Sequence, residues 1–559
     1  MNQQAIRIRR PIQACLFVFG LLLAGDLQAQ WPIGMQLSSM KSSPDAATMM
    51  AQLRQWGVTE LEGGWPEGRS PRSVPIRTYR KLLKENGLRM VSMGADFRLL
   101  QDSVAQVADH ARQLGAAYVV CYWIPHKDEL FTVADADNAI AVFTKAGQYL
   151  RKKGLTLCYH NHGYEFGKHG SGTLFDYLAG RLPADAVQFE LDLMWAKQPG
   201  QDPTALLKQY AGRFPLVHLK DRRPGTSASV KGPALKPANV ALGQGDIGLS
   251  AFLQEARRLG VKHLFIEDES LQPMVQIPQS IAFLRDWEQH KDAIRLLVRA
   301  DDLGMAHSAN RACLDALQQG IARSAEVMAP TPWLPEALTE LARLPDADVG
   351  VHLTLTSEWQ PLRWRPLTAA PSLRDSSGCF YPTCWKGTPL GASFLDHELT
   401  MAEVEAELRA QIERVQKQLP RQLSHLSTHM GFDRADPRLR TLVEKLSADY
   451  GLPTLEPATA EPFPKFAGQD ATDPAERERA FAAALEKLGP GTYLLITHPA
   501  YNTDEVKPLG EKQSVAAGRN ADAAMLKSQA VQAMIQQRGI QLINYRTLRP
   551  VSAGQLVRH

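Results

Sequence analysis

Histidines and carboxylates recur just past apolar, strand-like runs of this chain, in two consecutive sets. The first set lies in LTLCYHNHGYEF (Leu155–Phe166), FELDLMW (Phe189–Trp195), PLVHLKDRR (Pro215–Arg223) and HLFIEDE (His263–Glu269). The second lies in LLVRADDLG (Leu296–Gly304), VGVHLTL (Val349–Leu355), LSHLSTHMGF (Leu423–Phe432) and LLITHPAY (Leu494–Tyr501). Imidazole and carboxylate groups are the donors that hold hard or borderline divalent ions, and the groups that move protons near neutral pH. Residues just after a buried strand are where (β/α) folds carry chemistry, because the strand carboxyl ends converge on one face. Two series therefore point to two active sites.

The elements that must position them alternate regularly. From Trp31 to about Asp286, strand-like runs occur at Thr59–Glu62, Arg89–Met93, Ala117–Tyr122, Thr156–Tyr159, Val187–Leu191, Leu216–Leu219 and His263–Ile266. Between them lie amphipathic patterns such as VAQVADHARQLG (Val104–Gly115), with apolar residues at helical spacing and a closing glycine. Such alternation over about 250 residues predicts a parallel (β/α)₈ barrel. A second series begins at Ile294, and NRACLDALQQG (Asn310–Gly320) reads as its first helix. The α/β chain is thus expected to divide into a signal at 1–29, a barrel at 30–290 and a second domain at 291–559. Only the polar stretch Glu288–Asp292 separates the halves, which predicts closely packed neighbours. Ser357–Leu395, rich in Pro, Trp, Gly and Ser, reads as a long insertion or lid loop.

A length of 559 residues exceeds what one hydrophobic core usually supports, in keeping with two domains. The formal charge is only +4, and Arg7, Arg9 and Arg10 against Asp26 account for half of it, so nucleic acid is not an expected partner. Those arginines precede an apolar stretch, Ala14–Gly25, and a possible cleavage site, Leu27-Gln28-Ala29. The pattern predicts a secretory signal and a periplasmic or secreted protein. The stretch is too short to span a bilayer, which takes about 20 residues, so no membrane insertion beyond the export signal is expected. Of the six cysteines, Cys15 belongs to that segment, and Cys121 and Cys158 lie in apolar runs and read as buried thiols. Cys379 and Cys384, in a turn-rich stretch, are near enough in sequence to bridge in an oxidising compartment.

In Trp31–Asp286, HNHGYEF, ELDLMWAKQPGQDP, LVHLKD, LGQGDIGL and FIEDE occur in the order found in the sugar phosphate isomerase/epimerase family, the xylose isomerase-like TIM barrels, which this half resembles. The resemblance implies one divalent ion held by two glutamates, an aspartate and a histidine, and proton transfer next to a sugar carbonyl. By motif position the ligands are Asp192, His218 and Glu267. The fourth is Glu165, which would also serve in catalysis, or one of His160 and His162. Many members carry that glutamate inside the strand, where this chain has Tyr159 or His160. His160, His162 and Lys220 are the candidate substrate-binding residues, with Lys220 and Asp221 beside His218 placed to orient the substrate or the ligand ring. Taken singly, Asp192 and Glu267 also read as loop caps and His218 as a core imidazole. An exported enzyme points to a neutral sugar, keto-sugar or glycoside in place of a sugar phosphate.

Ile294–Leu548 resembles the YdjC-like family, the chitooligosaccharide deacetylases, through VRADDLG, GIARSAEVMAP (Gly320–Pro330), VGVHLTLT, THMGF, ITHPAY and INYRTL (Ile543–Leu548). The resemblance implies a distorted (β/α) barrel, one divalent ion and removal of N-acetyl groups from amino sugars. Asp302, His352 and His429 would be the ligands, Asp301 the proton acceptor, and His498 the group that protonates the leaving amine or stabilises the oxyanion. Asp301-Asp302 alone also fits a helix N-terminal cap. His425 and His307 read as structural or peripheral.

The combined expectation is a bifunctional enzyme acting on small carbohydrates, with one divalent ion (Mg, Zn or Mn) per domain. The alternative is a single-activity deacetylase whose barrel half is an inactive carbohydrate-binding module.

Overall fold

In the computed structural model, residues 31–68, 70–127, 130–227, 236–454, 460–510 and 514–548 are described. The candidate export signal lies outside these residues, as does Cys15. Eight parallel strands close into a barrel: β1 (Gly34–Gln36), β2 (Glu60–Gly63), β3 (Arg89–Gly94), β4 (Tyr118–Cys121), β5 (Thr156–His160), β6 (Val187–Asp192), β7 (Leu216–Leu219) and β8 (His263–Ile266). β1 pairs with both β2 and β8, which closes the ring. Seven of these runs are legible as apolar stretches. β1, three residues of GMQ, is too short to show a pattern.

Side-chain parity divides the barrel wall. Inward residues Val91, Val120, Cys158, Leu216 and Phe265 form a small interior core. Two residues further along their strands, on the same face, stand Tyr122, His160 and His218. The outward residues, Tyr159 among them, join the much larger core between strands and helices, where Tyr159 packs 5.5 Å from Phe143 of α1 (Val133–Lys152). Parity thus decides which polar residues can reach the barrel mouth. The helix expected at Val104–Gly115 ends at Leu114, and Gly115 takes φ +76° as its cap, a conformation that favours glycine.

The second half is a curled half-barrel of seven strands. They are β9 (Ile294–Leu303), β10 (Ser324–Val327), β11 (Val349–Leu353), β12 (Leu423–Thr428), β13 (Glu461–Pro462), β14 (Gly491–Thr497) and β15 (Gln541–Ile543). Their order is β12-β11-β10-β9-β14-β13, with β15 added to β9, and each of these pairs is parallel. β9 is buried along all ten residues, as expected of a central strand. Ser357–Leu395 holds two short 3₁₀ turns and buries Trp364, Phe380 and Phe394 in the domain core. Cys379 and Cys384 are free thiols, so no bridge joins them; the Cys384 thiol lies 3.8 Å from the Met430 carbonyl instead.

The halves touch directly. Arg295 Nη1 lies 2.8 Å from Asp286 Oδ2, and Gln254 Nε2 donates to the Pro490 carbonyl at 2.8 Å. Arg223, just past β7, pairs with Glu444 on α2 (Pro437–Tyr450), which follows His429 in the chain. Among the described residues, no helix is long and apolar enough to cross a membrane.

Candidate functional sites

At the barrel mouth a buried cluster of carboxylates surrounds His218. Its Nδ1 lies 3.0 Å from Glu267 Oε2 and 3.9 Å from Asp192 Oδ2. Its Nε2 lies 2.5 Å from Glu62 Oε1 and 3.3 Å from Glu190 Oε2. Two overlapping donor groups result: Asp192, His218 and Glu267, and His160, Glu190 and His218. Asp192 divides its carboxylate. Oδ1 caps the next helix by accepting from the Trp195 N–H at 2.7 Å, and Oδ2 turns into the cluster. Capping and a site role are therefore compatible.

Lys220 enters the same cluster. Its Nζ is 3.1 Å from Asp192, 2.8 Å from Glu267 and 2.8 Å from Glu269. Burial works against the charge of Lys220, but those three carboxylates outweigh it and hold its pKa well above the usual value. Burial also opposes charge on His218, where Glu190, Glu62 and Glu267 prevail and raise its pKa. Glu190 is pushed well up by burial and by the neighbouring Glu62. The donor set fits a divalent ion, with Lys220 already neutralising two of the same oxygens.

The sequence-derived candidates divide here. Asp192, His218, Glu267, His160 and Lys220 converge. His162 stands beside them, 4.9 Å from the His160 ring and 5.1 Å from Trp195, and burial draws its pKa to about 3. Glu165 is not with them. Its Oε1 accepts from the Tyr159 hydroxyl and the His162 backbone N–H, both at 2.7 Å, and it joins neither donor group. Glu165 lies in the 3₁₀ turn Tyr164–Phe166, beyond the end of β5, where the hydroxyl of the outward-pointing Tyr159 and the His162 N–H hold its carboxylate. Burial raises the Glu165 pKa to about 7. Asp221 is likewise structural, accepting backbone N–H bonds from Gly243 and Gly245 at 3.0 and 2.9 Å. A Cβ at Gly245 would stand 1.9 Å from Asp221 Oδ1, so glycine is required there.

Glu62 and Glu190 escape the strand-end reading because both sit inside strands. The available signal is the spacing Glu190-x-Asp192, which puts both acids on one face of a strand. Above the cluster lies a cavity of about 420 Å³, lined in part by Trp65, Trp195, Tyr122 and Arg72.

In the second half, Asp302 Oδ1, His352 Nε2 and His429 Nδ1 form a triangle. Its edges are 3.7 Å (Asp302–His352), 3.4 Å (Asp302–His429) and 3.3 Å (His352–His429). All three residues are buried. Donors about 2.1 Å from a tetrahedral ion stand about 3.4 Å apart, so the triangle fits one. Asp302 Oδ2 accepts from Arg519 at 2.7 Å, which leaves the buried Oδ1 without a hydrogen-bond partner and aimed at the imidazoles. Burial opposes charge on Asp302, yet Arg519 and His429 hold its carboxyl well below the usual range. His352 is lowered to about 3 by burial and by the charge of His429. His429, although buried, is raised to about 10 by Glu358 and Asp302.

Asp301 adjoins the triangle with Oδ2 3.8 Å from His352 Nε2, and both its oxygens accept from Arg299, at 2.7 and 2.8 Å. Burial outweighs Arg299 and raises its pKa. His498, partly exposed just past the end of β14, donates its backbone N–H to Asp522 at 3.0 Å. His425 is buried and pairs with Glu326 at 2.6 Å; His307 is an exposed partner of Glu336. Glu326, Glu358 and Arg519 were not legible as site residues, because none stands beside a recognisable ligand in sequence.

A closed parallel barrel with a polar mouth, followed by a half-barrel with an Asp-His-His triangle at its strand ends, defines a two-domain α/β protein with a candidate metal-type site in each half. The YdjC-like protein family model matches residues 295–537, and the xylose isomerase-like TIM barrel model matches residues 50–287. A carbohydrate deacetylase from Thermus thermophilus is 32% identical over 234 residues, 38% of this chain and 80% of that protein. A chitooligosaccharide deacetylase from Yersinia pestis is 28% identical over 265 residues, 44% of this chain and 96% of that protein. A solved sugar phosphate isomerase/epimerase from Parabacteroides distasonis aligns with 46% of this chain and 94% of its own, at 24% identity and a TM-score of 0.38. The chain belongs to the YdjC-like carbohydrate deacetylase family through its second half, joined to a xylose isomerase-like TIM barrel.

Proposed function

We propose that the second half hydrolyses N-acetyl groups of amino sugars and depends on a divalent ion held by Asp302, His352 and His429. The observation that carries this reading is the buried triangle, whose edges of 3.3 to 3.7 Å suit one ion. Such an ion supplies Lewis-acid polarisation of the amide carbonyl and lowers the pKa of water. Asp301 takes the proton of the attacking water. Arg299 fixes its plane, and each carboxylate oxygen keeps a lone pair for the proton. His498 then protonates the departing amine or steadies the oxyanion. The relatives' names, carbohydrate and chitooligosaccharide deacetylase, support the substrate class.

For the barrel, the reading is metal-dependent isomerase or epimerase-like chemistry on a neutral sugar, with Asp192, His218, Glu267 and His160 as donors. One observation favours the alternative of a sugar-binding module. Lys220 already lies between Asp192 and Glu267, where an ion would draw on the same oxygens. Export to the periplasm or beyond rests on the arginine-rich, then apolar, first residues. A screen of acetylated amino sugars and keto-sugars with purified protein of known metal content tests the whole reading. Acetate release with two ions per chain is expected for two enzymes, and acetate release with one ion for an enzyme and a binding module. No acetate release from metal-loaded protein would overturn the deacetylase assignment.

A further inference from the structure

Beneath the Asp-His-His triangle lies a buried polar network whose register explains its form. β10, β11 and β12 are adjacent and parallel, with Glu326 opposite Gly350, Gly350 opposite His425, and His352 opposite Ser427. Residues level with one another, or two apart along a strand, share a face, so all five positions face one side of the sheet. The middle one has no side chain. A Cβ at Gly350 would stand 2.2 Å from Glu326 Oε2 and 2.5 Å from His425 Nε2. The glycine therefore opens a channel through which the Glu326 carboxylate crosses β11 to reach β12.

There the carboxylate makes two contacts. Oε1 meets His425 Nε2 at 2.6 Å, and Oε2 accepts a short hydrogen bond from the Ser427 hydroxyl. A serine hydroxyl has one proton. With that proton given to Glu326, Ser427 Oγ can only accept from His352 Nδ1, 2.8 Å away. The proton of His352 is thereby fixed on Nδ1, and the lone pair of Nε2 is presented to the triangle. Metal-ligating histidines are commonly set by a carboxylate on the other ring nitrogen; here a serine lies between carboxylate and ring. Every member is buried, so no water competes for these bonds.

We propose that Glu326 is a positioning residue of the deacetylase site, acting through Ser427 to fix the tautomer and orientation of His352. The inference rests on the proposed ligand role of His352. It does not need Glu326 to touch substrate or metal.

The test is zinc titration of the full chain, with thermal melting as a control for folding and acetate release as a second readout. Ser427→Ala removes the relay and leaves the Glu326–His425 pair intact. A roughly 10- to 100-fold loss of zinc affinity is expected, with acetate release recovering as zinc approaches saturation. Glu326→Gln should show the same loss. Ser427→Asp, introduced with Glu326→Gln, places a carboxylate directly on His352 Nδ1 and should restore much of the affinity, which a merely structural role would not do. Unchanged zinc affinity in Ser427→Ala, or no rescue by the aspartate in a folded double variant, overturns the inference. A wild-type chain that binds no zinc and releases no acetate instead overturns the deacetylase reading, and this inference with it.

Discussion

Asp302 Oδ1 faces His429 Nδ1 across 3.4 Å, and the backbone is in the left-handed region at Asp302 and at the residue that follows His429. Asp302 has φ +68°, and Met430, next to His429, has φ +56°. Non-glycine residues held there cost about 1–3 kcal/mol each and persist where the surroundings over-determine them. Asn tolerates that conformation well, but Asp302→Asn takes the counter-charge from the buried Arg519, so the variant is expected to fold with a lowered melting temperature while losing zinc binding and acetate release together. Zinc retained at wild-type affinity in a folded Asp302→Asn protein would contradict a ligand role.

Asp301 should separate from its neighbour. Asp301→Asn removes a proton acceptor and leaves the triangle in place, so zinc content is expected to stay while turnover falls about 10²- to 10⁴-fold. Zinc loss in this variant would mean that the two aspartates exchange roles.

In the barrel, Lys220 draws on oxygens of Asp192 and Glu267 that a divalent ion would also need. Lys220→Met is expected to tighten divalent-ion binding by the barrel while weakening sugar turnover or binding. His218→Ala should abolish that ion binding and leave acetate release intact. Equal or weaker ion binding in a folded Lys220→Met protein would count against a metal at this site.

Glu165 gives a pH signature. Its folded pKa of about 7 lies above the value of about 4.3 for an unfolded glutamate. Between these values the unfolded chain has released the proton that the folded one keeps, so stability is full below about pH 4.3 and declines as pH rises through 7. Glu165→Gln should flatten the barrel's melting temperature over that range. An unaltered pH slope in the variant would show that the carboxyl is already ionised in the folded state.

What could be read from the sequence follows from where the information sits. Strand ends carry His218, Glu267, Asp302 and His352 in short, type-specific motifs, and seven barrel strands show as apolar runs. Motif position alone does not show what Glu165 bonds to: it sits in a 3₁₀ turn beyond β5, where its carboxylate accepts from Tyr159 and the His162 N–H. Glu62, Glu190 and Glu326 lie within strands, where a lone acid resembles a pairing defect until its neighbours are known. Glu326 above all depends on a register across three strands and on a glycine in the middle one. Local sequence does not encode that register.

Metal-dependent deacetylation at the buried Asp302, His352 and His429 triangle would make acetate release depend on the ion and on each of these three side chains. The most direct measurement is acetate release from an N-acetylated chitooligosaccharide by the full chain, before chelation, after it, and after zinc is restored, alongside His352→Ala. Expected are loss of acetate release on chelation, recovery with zinc, and no recovery in His352→Ala. Acetate release that survives both chelation and the substitution would contradict the claim.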